Sequence, residues 1–307
     1  MKRRQFIYNI SLAGAGFYAV GLPTSLFGSD KTQTTKLTIL HTNDVHSRLD
    51  PFPMDGTKMQ GLGGVSRRSA LINKIRSEEA NVLLFDSGDI IQGTPYFNVF
   101  KGRPEFEIMS QMGYDASTIG NHDFDAGVDR LAELLTIANF PLINSNYNLQ
   151  NSPLGKHILP YKIFEKGGLN IGVFGIGIEL EGLVPKELYG DIGYIDPIVI
   201  ANKTAAILKH EKKCDLIVCL SHIGYKYKQP KVNDILLAQN SKDIDIILGG
   251  HTHTFLDKPD LQRNLEGETV LINQVGWAGL RLGRIDMVFE KNNKKSCSSC
   301  DNIWLRN

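Results

Sequence analysis

Leu37-Thr38-Ile39-Leu40 runs directly into His41-Thr42-Asn43-Asp44-Val45-His46. A short apolar, β-branched run that gives way to a polar cluster reads as a buried strand ending in a loop. The same event recurs along the chain. Val82-Leu83-Leu84-Phe85 leads to Gly88-Asp89, and Ser117-Thr118-Ile119 leads to Gly120-Asn121-His122-Asp123. Leu216-Ile217-Val218-Cys219-Leu220 leads to Ser221-His222, and Ile244-Asp245-Ile246-Ile247-Leu248 leads to Gly250-His251-Thr252-His253. Helical spacing of apolar residues fills the gaps over Val65 to Glu79, Phe106 to Met112, Val128 to Ile137, Ile198 to Leu208 and Val232 to Ala238. Further strands are expected over Asn170 to Gly175, Thr269 to Gln274 and Leu282 to Phe289. Such alternation predicts a layered α/β fold. In open α/β sheets ligand sites gather beyond the carboxyl ends of the strands. One edge would therefore collect Asp44, His46, Asp89, Asn121, His222, His251 and His253, a donor set sufficient for two metal ions.

Each cluster has an ordinary reading when taken alone. Asp44 and His46 lie two apart and would point the same way along an extended segment; that spacing is common by chance. Asp89 follows Gly88, whose freedom permits a sharp turn, yet an aspartate after a strand is more often a cap or turn residue. Asn121 offers a neutral carbonyl oxygen. His122 can meet Asp125 across one helical turn, whereas adjacent Asp123 is expected to face elsewhere. His222 by itself would be a packed histidine. Together, at successive strand ends, these clusters point to a metal centre with His122 and Asp125 as the catalytic pair. Oxygen and imidazole donors without thiolate suit Zn, Mn, Fe or Co.

The net charge of +1 on 307 residues gives no general attraction to nucleic acid polymers or to membranes. With 42% hydrophobic and 22% charged residues the chain can bury a sizeable core. Residues 1–30 are set apart: Arg3-Arg4-Gln5-Phe6-Ile7 precedes an uncharged, mildly apolar stretch that reads as a twin-arginine-type export signal. This implies a periplasmic or otherwise exported protein, with an uncleaved leader anchored to the inner membrane as the alternative. The main domain is expected over 36–290. Beyond it, Lys291-Asn292-Asn293-Lys294-Lys295 breaks the pattern and leaves 291–307 as a C-terminal tail. Cys297 and Cys300 in that tail have redox or metal spacing but no second pair, so an incidental disulfide is expected. Cys214 and Cys219 read as small buried hydrophobes.

Four motifs carry a wider resemblance: Leu40 through His46, Asp86-Ser87-Gly88-Asp89 with Gln92-Gly93-Thr94-Pro95, Gly120 through Asp125, and Gly250 through His253. Together they resemble the calcineurin-like metallophosphoesterases and, within them, the catalytic domain of bacterial periplasmic 5′-nucleotidases. The resemblance implies a four-layer α/β/β/α sandwich with a dinuclear metal site at the carboxyl ends of the strands. It implies one divalent ion held by Asp44, His46, Asp89 and His253. A second would be held by Asp89, Asn121, His222 and His251, with Asp89 as the bridge. His122, oriented by Asp125, would be the catalytic histidine that holds no metal. The implied reaction is hydrolysis of a small phosphorylated substrate, a 5′-nucleotide above all, by a metal-activated hydroxide. Secreted nucleotidases of this kind carry a second domain that grips the base, and this sequence stops where that domain is expected. A separately encoded nucleotide-binding partner is therefore one alternative. A 2′,3′-cyclic nucleotide phosphodiesterase and a thiosulfohydrolase-like enzyme are the others.

Overall fold

The computed structural model describes residues 34–290 and 294–306; the leader expected over 1–30 lies outside them. No helix among the described residues is long and apolar enough to cross a membrane.

The strands run in chain order as β1 Thr35–Thr42, β2 Val82–Asp86, β3 Ala116–Ser117, β4 Leu142–Ile143, β5 Tyr147–Asn148, β6 Ile158–Leu159, β7 Tyr161–Lys166 and β8 Leu169–Gly177. They continue as β9 Gly193–Tyr194, β10 Leu216–His222, β11 Ile246–Leu248, β12 Asp260–Arg263, β13 Thr269–Asn273, β14 Arg281–Phe289 and β15 Lys295–Trp304. The helices are α1 Val65–Glu78, α2 Pro95–Phe100, α3 Arg103–Gln111, α4 Val128–Ile137, α5 Lys186–Tyr189, α6 Pro197–Ala206 and α7 Asp234–Gln239. One sheet has the order β15-β14-β1-β2-β3-β4-β6 and the other β12-β13-β11-β10-β8-β7, while β5 and β9 form a small pair.

The alternation of side chains along each strand sorts the core into three layers. On β1 and β2, Leu37, Ile39, Leu83 and Phe85 face the other sheet and meet Val173, Leu216, Val218 and Leu220. The intervening Leu40, Val82 and Leu84 face outward and pack under Ile72 and Ile75 of α1, with Phe106 and Leu131 of α3 and α4. On the second sheet Ile217 and Cys219 face outward under Ala201 and Ala205 of α6 and Leu237 of α7. The result is the expected four-layer α/β/β/α sandwich. Strands β1 through β4 are mutually parallel, as are β8, β10, β11 and β13, so the carboxyl ends that carry the polar clusters share one edge of the molecule.

Three segments differ from the sequence reading. Part of the stretch taken as a tail is β15, which pairs antiparallel with β14 along its length. As an outer strand it leaves many side chains exposed, so its backbone pairing needs no apolar alternation. Cys297 and Cys300 are joined by the expected disulfide, which spans an irregularity in the register opposite Asp286 and Met287. No helix is expected between Phe85 and Phe106, yet α2 forms there, started by Pro95 at its first turn. Finally, β7 is an edge strand with no fully buried residue, and so lacks a legible apolar run.

Candidate metal centre

The turns after β1 and β2 are laced together. Asp44 N donates to Gly88 O at 3.0 Å, His46 N to Asp89 O at 3.0 Å and Ser47 N to Ile90 O at 2.9 Å. Asp44, His46, Asp89, His251 and His253 all have positive φ, between 51° and 70°. Each such non-glycine conformation costs about 1–3 kcal/mol and persists only where its surroundings enforce it. That five predicted ligands share it marks this edge as a built site. The second sheet closes on the first through His222 Nδ1, which donates to Ser87 O at 2.6 Å, and Ser87 Oγ, which donates to Leu248 O at 2.8 Å. His251 N donates to the Asp44 carboxylate at 3.0 Å.

All seven expected ligands converge, in two clusters. Asp44, His46 and His253 form one, and Asp89, His222 and His251 the other; within each, the ligand atoms lie within 4.8 Å of one another. His46 Nε2 is 3.0 Å from His253 Nε2, and His253 Nε2 is 3.3 Å from Asp44 Oδ1. Asp89 Oδ2 lies 3.1 Å from His222 Nε2 and 3.7 Å from His46 Nε2, so one carboxylate faces both clusters. Asn121 Oδ1 is 2.9 Å from His251 Nδ1 and joins the second cluster.

The residues fit metal ions. His222 is fully buried, its Nδ1 proton is committed to Ser87 O, and its Nε2 has no hydrogen-bond partner. With Asp89 Oδ2 3.1 Å from it, that nitrogen needs a cation between the two, a proton in the metal-free protein or a metal ion in its place. Burial opposes a proton on that nitrogen, but Asp89 raises the imidazole to about 10 in the metal-free protein. Burial would likewise raise Asp89; the charge of His222, with His46 and His122, outweighs it and holds the carboxyl well below the usual carboxylate range. His251 is pushed down to about 4 by burial and then by His222, and burial also lowers His46. Both are therefore neutral and ready to donate lone pairs.

His122 stands beside the first cluster, its ring 5.4 Å from that of His46. Nδ1 meets Asp125 Oδ2 at 2.8 Å, and this bond raises the imidazole above its ordinary value against the opposing effect of burial. Sequence reasoning missed two supports. Asp123 does face away from His122, as expected, but it turns inward and accepts from Asp89 N at 3.0 Å, Ile90 N at 2.9 Å and Gly120 N at 2.8 Å. Asn43 donates to Asp44 Oδ2 and to Gly276 O, both at 2.6 Å, and accepts from Val275 N at 2.9 Å. No spacing signal distinguishes these residues from their neighbours, because most of their partners, Asp89 and Ile90 for Asp123 and Val275 and Gly276 for Asn43, lie far along the chain.

Comparison with known proteins agrees with this geometry. Residues 37–255 match the family described as Calcineurin-like phosphoesterase. The chain is 34% identical over 298 residues to snake venom 5′-nucleotidase of Naja atra, which covers 88% of this chain and 53% of that protein. It is 37% identical over 235 residues to the 5′-nucleotidase of Rattus norvegicus, covering 72% of this chain and 38% of that one. Among solved structures, a 5′-nucleotidase precursor from Thermus thermophilus superposes with a TM-score of 0.79 at 29% identity, covering 88% of this chain and 55% of that one. The chain thus spans about half the length of the venom relative and of the Thermus structure.

Proposed function

As the chain belongs to the calcineurin-like phosphoesterase family, we propose that it is a metal-dependent phosphoric ester hydrolase that releases phosphate from nucleoside 5′-monophosphates. The observation that carries this reading is the pair of ligand clusters facing one carboxylate, Asp89, with the His122–Asp125 pair alongside. Asp44, His46, Asp89 and His253 would hold one ion, and Asp89, Asn121, His222 and His251 the other. When bound, such paired ions polarise phosphoryl oxygens and lower the pKa of water. The chain's own residues do the rest. Asp125 holds His122 Nδ1–H, which leaves Nε2, without a hydrogen-bond partner among the described residues, directed to the substrate. A protonated His122 then either stabilises charge on the phosphoryl oxygens or gives its proton to the departing alkoxide.

The nucleotide preference rests on the three named relatives, each a 5′-nucleotidase, matched over 53%, 38% and 55% of their own lengths. The paired arginines Arg3 and Arg4 support export by a twin-arginine route, which fractionation of expressing cells would test. For the substrate, metal-loaded protein lacking residues 1–30 is offered adenosine monophosphate, an aryl phosphate, a 2′,3′-cyclic nucleotide and a thiosulfate conjugate. The expected result is a kcat/KM for the nucleotide at least about tenfold above that for the aryl phosphate, or about 1.4 kcal/mol of selective transition-state binding. Equal rates on the two monoesters overturn the nucleotidase reading, and faster turnover of the cyclic or thiosulfate compound replaces it. No hydrolysis of any ester overturns the phosphoesterase reading as well.

A further inference from the structure

His253 is held differently from the other imidazoles of the site. His222 and His122 have their orientation fixed by hydrogen bonds to Ser87 O and Asp125. His46 is enclosed, with 9% of its side chain exposed, and His251 meets Asn121. The His253 side chain is 40% exposed, and its Nδ1 has no hydrogen bond among the described residues. A histidine that ligates metal usually donates its second N–H to a carboxylate, a carbonyl or water, which sets the ring's direction. Here an aromatic face lies against the ring. Trp277 stacks on His253 with ring centroids 5.7 Å apart and planes 8° from parallel.

The indole is itself well anchored. Its neighbours tie the turn to both ligand loops: Ala278 N donates to Asp44 O at 2.7 Å and Gly276 N to Thr254 O at 2.9 Å. Phe52 meets the indole edge-on at 5.9 Å and 81°, and the Arg48 guanidinium lies 4.4 Å from the Phe52 ring centroid. A continuous column therefore runs from Arg48, beyond His46 on the same loop, through Phe52 and Trp277 to His253. Offset parallel stacking restricts rotation of an exposed ring, which is what a second hydrogen bond would do.

We propose that Trp277 is a positioning residue for the first metal cluster, its indole face holding the His253 imidazole with Nε2 toward Asp44 and His46. The proposal rests on the reading of His253 as a ligand. The test is calorimetric titration of Mn²⁺ into metal-free wild type, Trp277→Ala, Trp277→Phe, His253→Ala and the Trp277→Ala/His253→Ala double variant. Trp277→Ala is expected to weaken one of two binding steps by about tenfold and to leave the other unchanged. Trp277→Phe should restore that step, and the double variant should bind no more weakly than His253→Ala. Wild-type binding by Trp277→Ala, equal weakening of both steps, or losses that add to those of His253→Ala would overturn the positioning role. Two wild-type steps in His253→Ala would instead overturn the ligand reading beneath it. Should Trp277→Ala not fold, the Trp304→Phe protein retains Trp277 as its single tryptophan, since the chain has two. Its emission should be quenched by Co²⁺ in the step that His253→Ala loses, and unchanged emission on filling that site would overturn the proposal.

Discussion

The bond between His122 Nδ1 and Asp125 Oδ2, at 2.8 Å, sets the tautomer of the ring and favours its charged form. Since no ligand cluster includes His122, His122→Ala should leave both metal-binding steps intact and lower kcat by about 10²–10⁴-fold. Unchanged turnover would remove His122 from the chemistry. The role of Asp125 can be read from pH. Replacing the carboxylate that raises His122 by a neutral amide, which still accepts from Nδ1–H but carries no charge, lowers its pKa. In Asp125→Asn the alkaline limb of the kcat/KM profile should therefore move to lower pH. A limb that stays in place would mean that another group carries the proton. Asp89 makes a different demand. Its Oδ2 faces His222 at 3.1 Å and His46 at 3.7 Å, whereas Asp44 Oδ1 lies nearest His253, at 3.3 Å, and 3.9 Å from His222. Asp89→Asn should therefore weaken both binding steps in a metal titration, and loss of a single step would refute its bridging position.

The turns that carry these residues depend on close backbone approach. Gly88, at φ 87°, lies so near Gly120 that a Cβ on it would come 2.5 Å from Gly120 N. A Cβ on Gly120 would in turn collide with the Asp89 carboxylate and come 2.5 Å from Asp89 N. Gly120→Ala should thus displace the shared ligand, weaken both metal steps and cost about 1–3 kcal/mol of stability through overpacking. A thermal melt of chelated protein and a metal titration check the two halves of that expectation separately. The clusters and their strands were legible because buried parallel strands are apolar on both faces, as Leu216 to Leu220 is and, apart from Thr38, Leu37 to Leu40. The packing of Asp123 under Asp89 was not legible, nor was the stacking of Trp277 on His253. Each joins residues far apart in sequence, and neither leaves a local period. Strand β15 escaped for the opposite reason: its Ser- and Cys-rich run is held by backbone pairing at a sheet edge, which asks little of its side chains.

Across the whole molecule, the two sheets are joined at the site edge by polar contacts that metal ions would reinforce, so stability, metal and pH are linked. In the metal-free protein the folded-state value of His222 is about 10, above its unfolded value of about 6.5. Its contribution to stability is therefore complete below about pH 6.5 and is lost as pH rises through about 10. Asp89, held below the carboxylate range, has the opposite sign: its contribution is present above about pH 4 and lost at lower pH. Chelated protein should accordingly weaken from about pH 6.5 to about pH 10, by at most about 1.4 kcal/mol per pH unit for the one proton on His222. Metal needs the His222 lone pair free, so binding expels that proton, and apparent affinity should rise by up to about tenfold per pH unit over the same range. Because ligand binding to the folded state stabilises it in proportion to the logarithm of concentration over Kd, this rise in affinity appears directly as added stability of the loaded over the chelated protein. The difference in Tm between metal-loaded and chelated protein should widen steadily as pH rises. A constant difference would show that His222 carries no proton for the metal to displace, and that the buried Asp89–His222 pair is not charged in the metal-free protein.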